Sequence, residues 1–445
     1  MNRRNGNAIR VLLGVAWYLP DSIGGTEKYV RGLAAELKQS GIDVAIAVPA
    51  PFASRVTREL IDDVPVFRFA PTETRDFDLA THAPNGWQEI LEAFRPTIVD
   101  LHSVTSGMGL AHLRAARALR ARTLVSIHLP GLVCARGTLL RFGHELCDGD
   151  LRAQPCTTCR LEARGVPASV GSFLSELPSG LGDWVTRLPV PEIARRMVNA
   201  DDAHRDRMRW LSAIADQADR LVAVSDFLKA VLIRNGVAAE KIVVCRQGVE
   251  TGGEPRRSIA GTREPGVLKV GFVGRFDPLK GLDVLLDAAE RIPPDARIEF
   301  HIWGAARIPA ARAYRDEIMR NAQGLRNVVF HGEASSMAPY DLVDILAVPS
   351  TCYETGPFVV LEAHAAGIPV VGSNLGGIAE RVTPGRDGLL FPMGDARALA
   401  HILLELWQAP GKLAQLRPTG PVRTIADVAR ETLDTYALIA AERAA

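Results

Sequence analysis

Three short segments in the C-terminal half of this 445-residue chain carry residue types suited to holding an anionic ligand. The first is Val273-Gly274-Arg275-Phe276-Asp277-Pro278-Leu279-Lys280-Gly281, which follows an apolar run and opens a helical pattern. Arg275 offers a forked guanidinium and Lys280 a point charge, and a helix start adds free N–H groups and partial positive charge. That combination suits a diphosphate; a solvated basic loop is the competing reading of this segment alone. The second segment, residues 353–363, sets Glu354 before Pro357 and Glu362 inside the apolar run 358–366. Pro357 suits an early helical position. Glu362 then lies about 7.5 Å along the helix from it, at roughly 1.5 Å rise per residue. Two carboxylates so placed can hold two ends of one ligand, such as a sugar and a ribose, whereas a solvent-facing helix position is the blander reading of Glu362. The third segment, Ser373-Asn374-Leu375-Gly376-Gly377-Ile378-Ala379-Glu380, has a Gly-Gly step that lets backbone approach a phosphate closely. Most Gly-Gly steps are plain turns, but three such loops at three strand ends point together.

The elements that must position these loops alternate along the whole chain. Continuous apolar runs occur at 9–17, 44–48, 97–101, 123–128, 221–225 and 242–245, then at 268–273, 298–303, 328–331, 345–349 and 369–372. Continuous runs of this kind fit parallel strands covered by helices on both faces. Helical patterns lie between them, as in Tyr29, Leu33 and Leu37 after Gly25, and Leu282, Leu285, Leu286 and Ala289 after Gly281. The expected fold class is α/β, with doubly wound Rossmann-like domains that bind ligands at the carboxyl ends of their strands. The polar stretch 250–265, with Gly252, Gly253, Pro255 and Gly261, reads as a linker. The expected domains are 1–260, 261–422 and a closing helical segment 423–445. Residues 129–210 break the rhythm with a Cys-bearing loop and a helical insertion containing Phe173, Leu174, Leu177, Leu181, Trp184 and Leu188.

Composition excludes several classes. Hydrophobic residues make up 47% and charged residues 23%, with a net charge of +1, which argues against a nucleic-acid partner. No run reaches the roughly 18 to 20 apolar residues of a membrane span. The apolar run after Arg3 and Arg4 reads as a first strand and not a signal peptide, so the expected location is the cytoplasm. Six cysteines do not suggest a disulfide scaffold. Four of them, Cys134, Cys147, Cys156 and Cys159, have the spacing C-x12-C-x8-C-x2-C, and a structural zinc competes there with free thiols and with a Cys156–Cys159 redox pair. Asp76-Phe77-Asp78 and Asp148-Gly149-Asp150 do not directly follow an apolar strand and read as loop acids, not as a catalytic metal site.

Gly274-Arg275 with Lys280-Gly281, Glu354 with Glu362, and Gly376-Gly377 with Glu380 together resemble the donor site of family 4 retaining glycosyltransferases. Gly24-Gly25, Ser126-Ile127-His128, residues 219–225 and 241–244 resemble the same family, from residue 9 to about 440. The resemblance implies the GT-B fold: two facing Rossmann-like domains with the active cleft between them. It implies that Arg275 and Lys280 bind the leaving diphosphate and that Glu354 and His128 contact the donor sugar. Glu362 would hold the ribose, and Gly25, Gly274, Gly356, Phe358, Gly376 and Gly377 would complete the donor site. No cofactor would be needed for catalysis, and configuration would be retained. The acceptor would be a glycan or a lipid-linked glycan of the cell surface. The Arg-rich stretch 187–209 reads first as a solvated helix, with peripheral contact at the inner membrane face as the competing reading. Two departures stand out: Thr355-Gly356-Pro357-Phe358 lacks the usual aromatic close after the first Glu, and Gln247-Gly248-Val249 replaces Asn-Gly-Val. A nucleotide-sugar epimerase, a phosphorylase and a non-catalytic scaffold are the rival readings.

Overall fold

The computed structural model describes residues 9–442, apart from 23, 72–82, 106, 164, 168, 170–199, 251–265 and 335–337. The chain forms two compact units, Met1–Arg246 with Ile425–Ala445, and Gln247–Thr424. The division falls at Arg246, ahead of the boundary expected near 260. The cause is local: Val249 forms a parallel bridge with Thr424 and donates its N–H to Arg423, which ties the segment after Arg246 into the second unit. Most of the stretch read as a linker, 251–265, lies outside the described residues, as do Asp76-Phe77-Asp78 and the apolar residues of the helical insertion.

In chain order the first unit contains β1 (Arg10–Val15), β2 (Asp43–Pro49), β3 (Thr57–Ile61), β4 (Val64–Phe69), β5 (Ile98–His102), β6 (Arg122–Ile127), a small pair β7 (Leu140–Arg141) and β8 (Glu145–Leu146), β9 (Arg220–Ala223) and β10 (Ile242–Val244). The main sheet runs β10-β9-β6-β5-β1-β2-β4-β3. Its pairs are parallel except β3 with β4. Val11, Leu12 and Leu13 of the central strand are fully buried, as a strand with helices on both faces requires. The β3–β4 hairpin turns through Asp62 and Asp63, whose φ values of 49° and 61° match the left-handed conformation of a tight two-residue turn. The closing helix Ile425–Ala441 belongs to this unit and packs against the helix Gly25–Gln39.

The second unit is a six-stranded sheet of β11 (Leu268–Arg275), β12 (Ile298–Ala305), β13 (Val328–Gly332), β14 (Ile345–Val348), β15 (Val370–Ser373) and β16 (Gly388–Phe391). The order is β13-β12-β11-β14-β15-β16, and every pair is parallel. One face packs Phe272, Phe300 and Ile302 against Leu285, Leu399 and Leu403. The other packs Trp303, Leu346 and Val348 against Tyr340, Val360 and Ala363. From β11 the chain builds outward through β12 and β13, then returns to β14 on the other side of β11. The carboxyl ends of β11 and β14 therefore flank the point where strand order reverses, the place where open α/β sheets bind ligands. Among the described residues no helix is long and apolar enough to cross a membrane.

Candidate active site

The loops after β11 and β14 are locked together by backbone. Asp277 caps a short turn, Pro278–Lys280, by accepting the Leu279 N–H at 3.1 Å. Gly281 follows at φ 69°, and a Cβ there would stand 1.9 Å from the Pro349 carbonyl oxygen, so only glycine fits. Thr351 donates its N–H to Leu279 at 3.0 Å. This clamp sets Lys280 Nζ 2.5 Å from Glu354 Oε1, and Ser350 donates its hydroxyl to the same oxygen at 2.9 Å. Burial alone would push the Lys280 ammonium down, but the Glu354 carboxylate outweighs it and the net shift is upward. Burial alone would push Glu354 up, and Lys280 outweighs it in the opposite sense, with further lowering from Ser350 and Arg275. Both groups are thus charged at neutral pH. Arg275 differs: its side chain is 71% exposed, with Asp277 at 3.5 Å.

The Gly376-Gly377 turn after β15 braces this loop. Gly377 donates its N–H to the Glu354 carbonyl at 2.6 Å, and a Cβ on Gly377 would lie 2.7 Å from that oxygen. The close approach read from the sequence is therefore made to the loop that carries Glu354. Glu362 sits on the helix Phe358–Ala365, half-buried, and accepts the Tyr340 hydroxyl at 2.7 Å. Burial, then the Glu362 charge, pushes the Tyr340 phenol well above its usual range, so it stays a donor. Pro357 precedes this helix as its N-cap, and Phe358 opens it. Gly274 packs beside the Phe272 ring, one residue before Arg275.

The two departures from the family pattern meet in space. Gln247 is buried, and a Cβ on Gly356 would fall 1.8 Å from its Oε1. A longer side chain at 247 thus occupies the room that a bare glycine at 356 leaves. The pair holds the backbone between Glu354 and the helix that carries Glu362.

In the first unit, Gly25 is exposed at the start of its helix after β1, and Glu27 buttresses that start by accepting from Gly24 N–H at 3.1 Å and Ser22 hydroxyl at 2.6 Å. His128 follows β6 and is 2% exposed. Its Nε2 lies 3.0 Å from Nδ1 of His102, at the end of β5. The sequence reading missed His102, Asp100, Ser350 and Tyr340, and noted Gln247 only as a departure from the family pattern. The apolar runs just ahead of His102 and Ser350 gave the local signal for those two.

The four cysteines named as candidate zinc ligands come together in the first unit. All four line one cavity with Leu140 and Leu151, yet among the described residues no three His, Cys, Asp or Glu are grouped to hold a metal ion. Each of three thiols has a local partner. Cys159 accepts the Phe142 N–H at 3.3 Å, Cys156 faces the Asp150 carbonyl at 3.9 Å, and Cys147 faces the Asp148 carboxylate at 4.0 Å. Burial pushes the Cys147 and Cys156 thiols up. Cys245 and Cys352 are buried, and burial pushes Cys352 up to about 12. Asp148 and Asp150 both pair with Arg152, at 2.6 and 3.0 Å, as loop acids do.

Residues 24–248 match the Glycosyl transferase 4-like domain, and residues 268–409 match Glycosyl transferases group 1. The chain belongs to the group 1 glycosyl transferases. The family match sets the Arg275–Lys280 and Glu354 loops in one region and His128 in the other. D-inositol 3-phosphate glycosyltransferase of Actinosynnema mirum is 32% identical over 303 residues, 60% of this chain and 71% of that one. The amylovoran biosynthesis glycosyltransferase AmsK of Erwinia amylovora is 30% identical over 252 residues, 55% of this chain and 60% of AmsK. Among solved structures, Anabaena HepE in complex with UDP and glucose aligns with a TM-score of 0.65 at 16% identity, over 96% of this chain and 99% of that one. Sucrose-phosphate synthase of Thermosynechococcus elongatus aligns with a TM-score of 0.58 at 20% identity, over 98% of each chain. The transferase therefore has the two-domain GT-B fold.

Proposed function

We propose that this glycosyltransferase moves a sugar from a nucleoside-diphosphate donor to a glycan or lipid-linked acceptor, with retention of configuration and without a catalytic metal. The observation that carries the reading is the Lys280–Glu354–Ser350 cluster at the switch point, beside the exposed guanidinium of Arg275. As the anomeric C–O bond breaks, negative charge grows on the leaving diphosphate. Fixed cations beside it favour the transition state over the ground state. Arg275 is open to fork two phosphate oxygens. Lys280 is held charged by Glu354 until the diphosphate takes a share of it. Glu354 would then hold donor-sugar hydroxyls, and Glu362, oriented by Tyr340, would hold the ribose. The acceptor attacks on the face the diphosphate vacates, and a phosphate oxygen takes its proton; no covalent nucleophile is assigned.

AmsK and the putative colanic acid glycosyltransferase WcaL of Salmonella typhimurium favour a surface polysaccharide as the destination. HepE, solved with UDP-glucose, favours a uridine donor. A cytoplasmic location remains part of the proposal. The stretch proposed for membrane contact, 187–209, lies mostly outside the described residues, and its remainder falls within the helix Ala200–Gln217. Transfer assayed with a panel of nucleotide sugars, with and without a strong chelator, tests the reading. Activity abolished by the chelator and restored by magnesium or manganese would overturn metal independence, and donor turnover without any acceptor would favour an epimerase.

A further inference from the structure

We propose that His102, backed by Asp100, is a positioning residue that fixes the ring proton of His128 on Nε2. The inference rests on reading His128 as a donor-sugar contact and adds which hydrogen-bonding role that contact plays.

β5 and β6 are parallel neighbours, with His102 in register with Ser126, so the two imidazoles emerge side by side at the carboxyl end of the sheet. The rings stack at 27° with centroids 5.3 Å apart, and Tyr29 packs against both. His102 is 1% exposed and His128 2%, and Nδ1 of His102 meets Nε2 of His128 at 3.0 Å. Burial holds His102 down to about 3. Burial, then His102 itself, holds His128 well below its usual range. Two neutral rings at that distance require one to donate and the other to accept.

The other nitrogen of His102 decides which. Its Nε2 is buried without a hydrogen-bond partner, and it lies 3.8 Å from Asp100 Oδ2. Asp100 accepts the Ser126 hydroxyl at 2.9 Å and the Tyr436 hydroxyl at 3.0 Å, so its oxygens face donors only. Burial pushes this carboxyl up to about 6, which leaves it ionised above that pH. A lone pair on His102 Nε2 would face an anion across 3.8 Å inside the protein, whereas an N–H there faces it favourably. His102 therefore carries its proton on Nε2 and accepts through Nδ1. His128 must donate from Nε2 and carry its lone pair on Nδ1. A ligand group that meets Nδ1 meets an acceptor. A sugar hydroxyl satisfies it and a phosphate oxygen does not. Tyr436 comes from the closing helix, so that helix takes part in setting the charge that orients the pair.

Long-range imidazole proton–nitrogen correlations on the full chain, labelled with nitrogen-15 in histidine, test this at pH 7.5. The expected spectrum has His128 protonated at Nε2 and bare at Nδ1, with the peaks assigned by their loss in His128→Gln. A proton on Nδ1 of His128, or an imidazolium, overturns the proposal whatever the activity. Kinetics supply a second arm. In His102→Asn the amide oxygen can stand near the place of Nδ1 and still accept. That variant should keep kcat within about threefold, whereas His102→Leu, which orphans a buried donor, should lose about tenfold or more in kcat with little change in donor KM. Equal losses in the two variants overturn the positioning role, and the wild-type spectrum decides if His102→Leu does not fold. Full transfer by His128→Gln would instead sink the sugar-contact reading and leave the proton assignment standing.

Discussion

The two units use one topology for opposite electrostatics. Each gathers side chains at the carboxyl ends of strands at or near its switch point: β11 and β14 in the second unit, and in the first β5, which lies next to β1, with its neighbour β6. The second unit fills that place with charge. Lys280, Glu354 and Arg275 range from 15% to 71% side-chain exposure, and the Lys–Glu contact keeps both partners ionised. The first unit fills it with neutral, almost fully buried rings, His102 and His128, around one buried carboxyl. A partly open ion pair can exchange partners with an incoming anion. A closed neutral network can only present a fixed donor or acceptor. The contrast matches the roles proposed here, diphosphate and sugar contacts by the charged cluster of the second unit and a neutral sugar contact by His128 of the first.

Removing charge from the second unit should have the largest effect. Lys280→Ala should lower kcat/KM for transfer by about 100- to 1,000-fold, the scale of losing one transition-state contact. It should also lower thermal stability, because Glu354 is left as a largely buried carboxylate without its cation, held only by the Ser350 hydroxyl. Arg275→Ala should lower activity and leave the melting temperature unchanged, since the side chain is exposed. A Lys280 variant that keeps both activity and stability breaks the comparison.

Acid should act strongly on the first unit, where three buried histidines must charge. His102 and His112 are each pushed down to about 3 by burial, and His128 moves the same way. A base whose folded pKa is depressed stabilises the fold above its unfolded value, near 6.5, and loses that contribution as pH falls below it. Each such histidine costs about 1.4 kcal/mol per pH unit in that window. Asp100, raised to about 6, works in the opposite sense between pH 6 and its unfolded value near 3.8, and offsets one histidine. Melting temperature against pH should therefore fall from about 6.5 downward, and replacing His112 with Gln should flatten the fall. A flat profile down to pH 4 contradicts the buried neutral network.

Two smaller effects sharpen the picture. Gly356→Ala should cost about 1–3 kcal/mol by overpacking against Gln247, and Gln247→Asn in the same chain should recover much of it. Denaturant titration of the two single variants and the double variant reads this coupling, and simple additivity would sink the paired-departure account. Tyr436→Phe removes one hydroxyl from Asp100 and should cost about 1 kcal/mol by the same titration.

Legibility in the sequence followed locality. Parallel strands buried on both faces announce themselves as continuous apolar runs, so eleven of the main strands lie where such runs occur. The β3 strand, Thr57–Ile61, is largely exposed on an edge and has no apolar period to read, and β16 is four residues long beside a glycine-rich turn. Arg275, Lys280, Glu354 and Glu362 stood out because each sits at or just after a strand–helix junction. The groups that hold them did not. Ser350 reaches Glu354 within one loop and Tyr340 reaches Glu362 from another, and a hydroxyl in isolation carries no signal; Gln247 stood out only as a departure from the family pattern. The cysteine spacing was legible in part: it shows that four thiols can reach one cavity, but not which backbone and carboxylate groups stand beside them there.

The central claim is that the second unit grips a nucleoside diphosphate through Arg275 and Lys280. Calorimetric titration of UDP and of GDP into the wild type and the Arg275→Ala/Lys280→Ala double variant, with a chelator present, tests it most directly. The account predicts that the wild type binds one of the two without a metal and that the double variant binds it at least about tenfold more weakly. Equal affinity in wild type and double variant would contradict it.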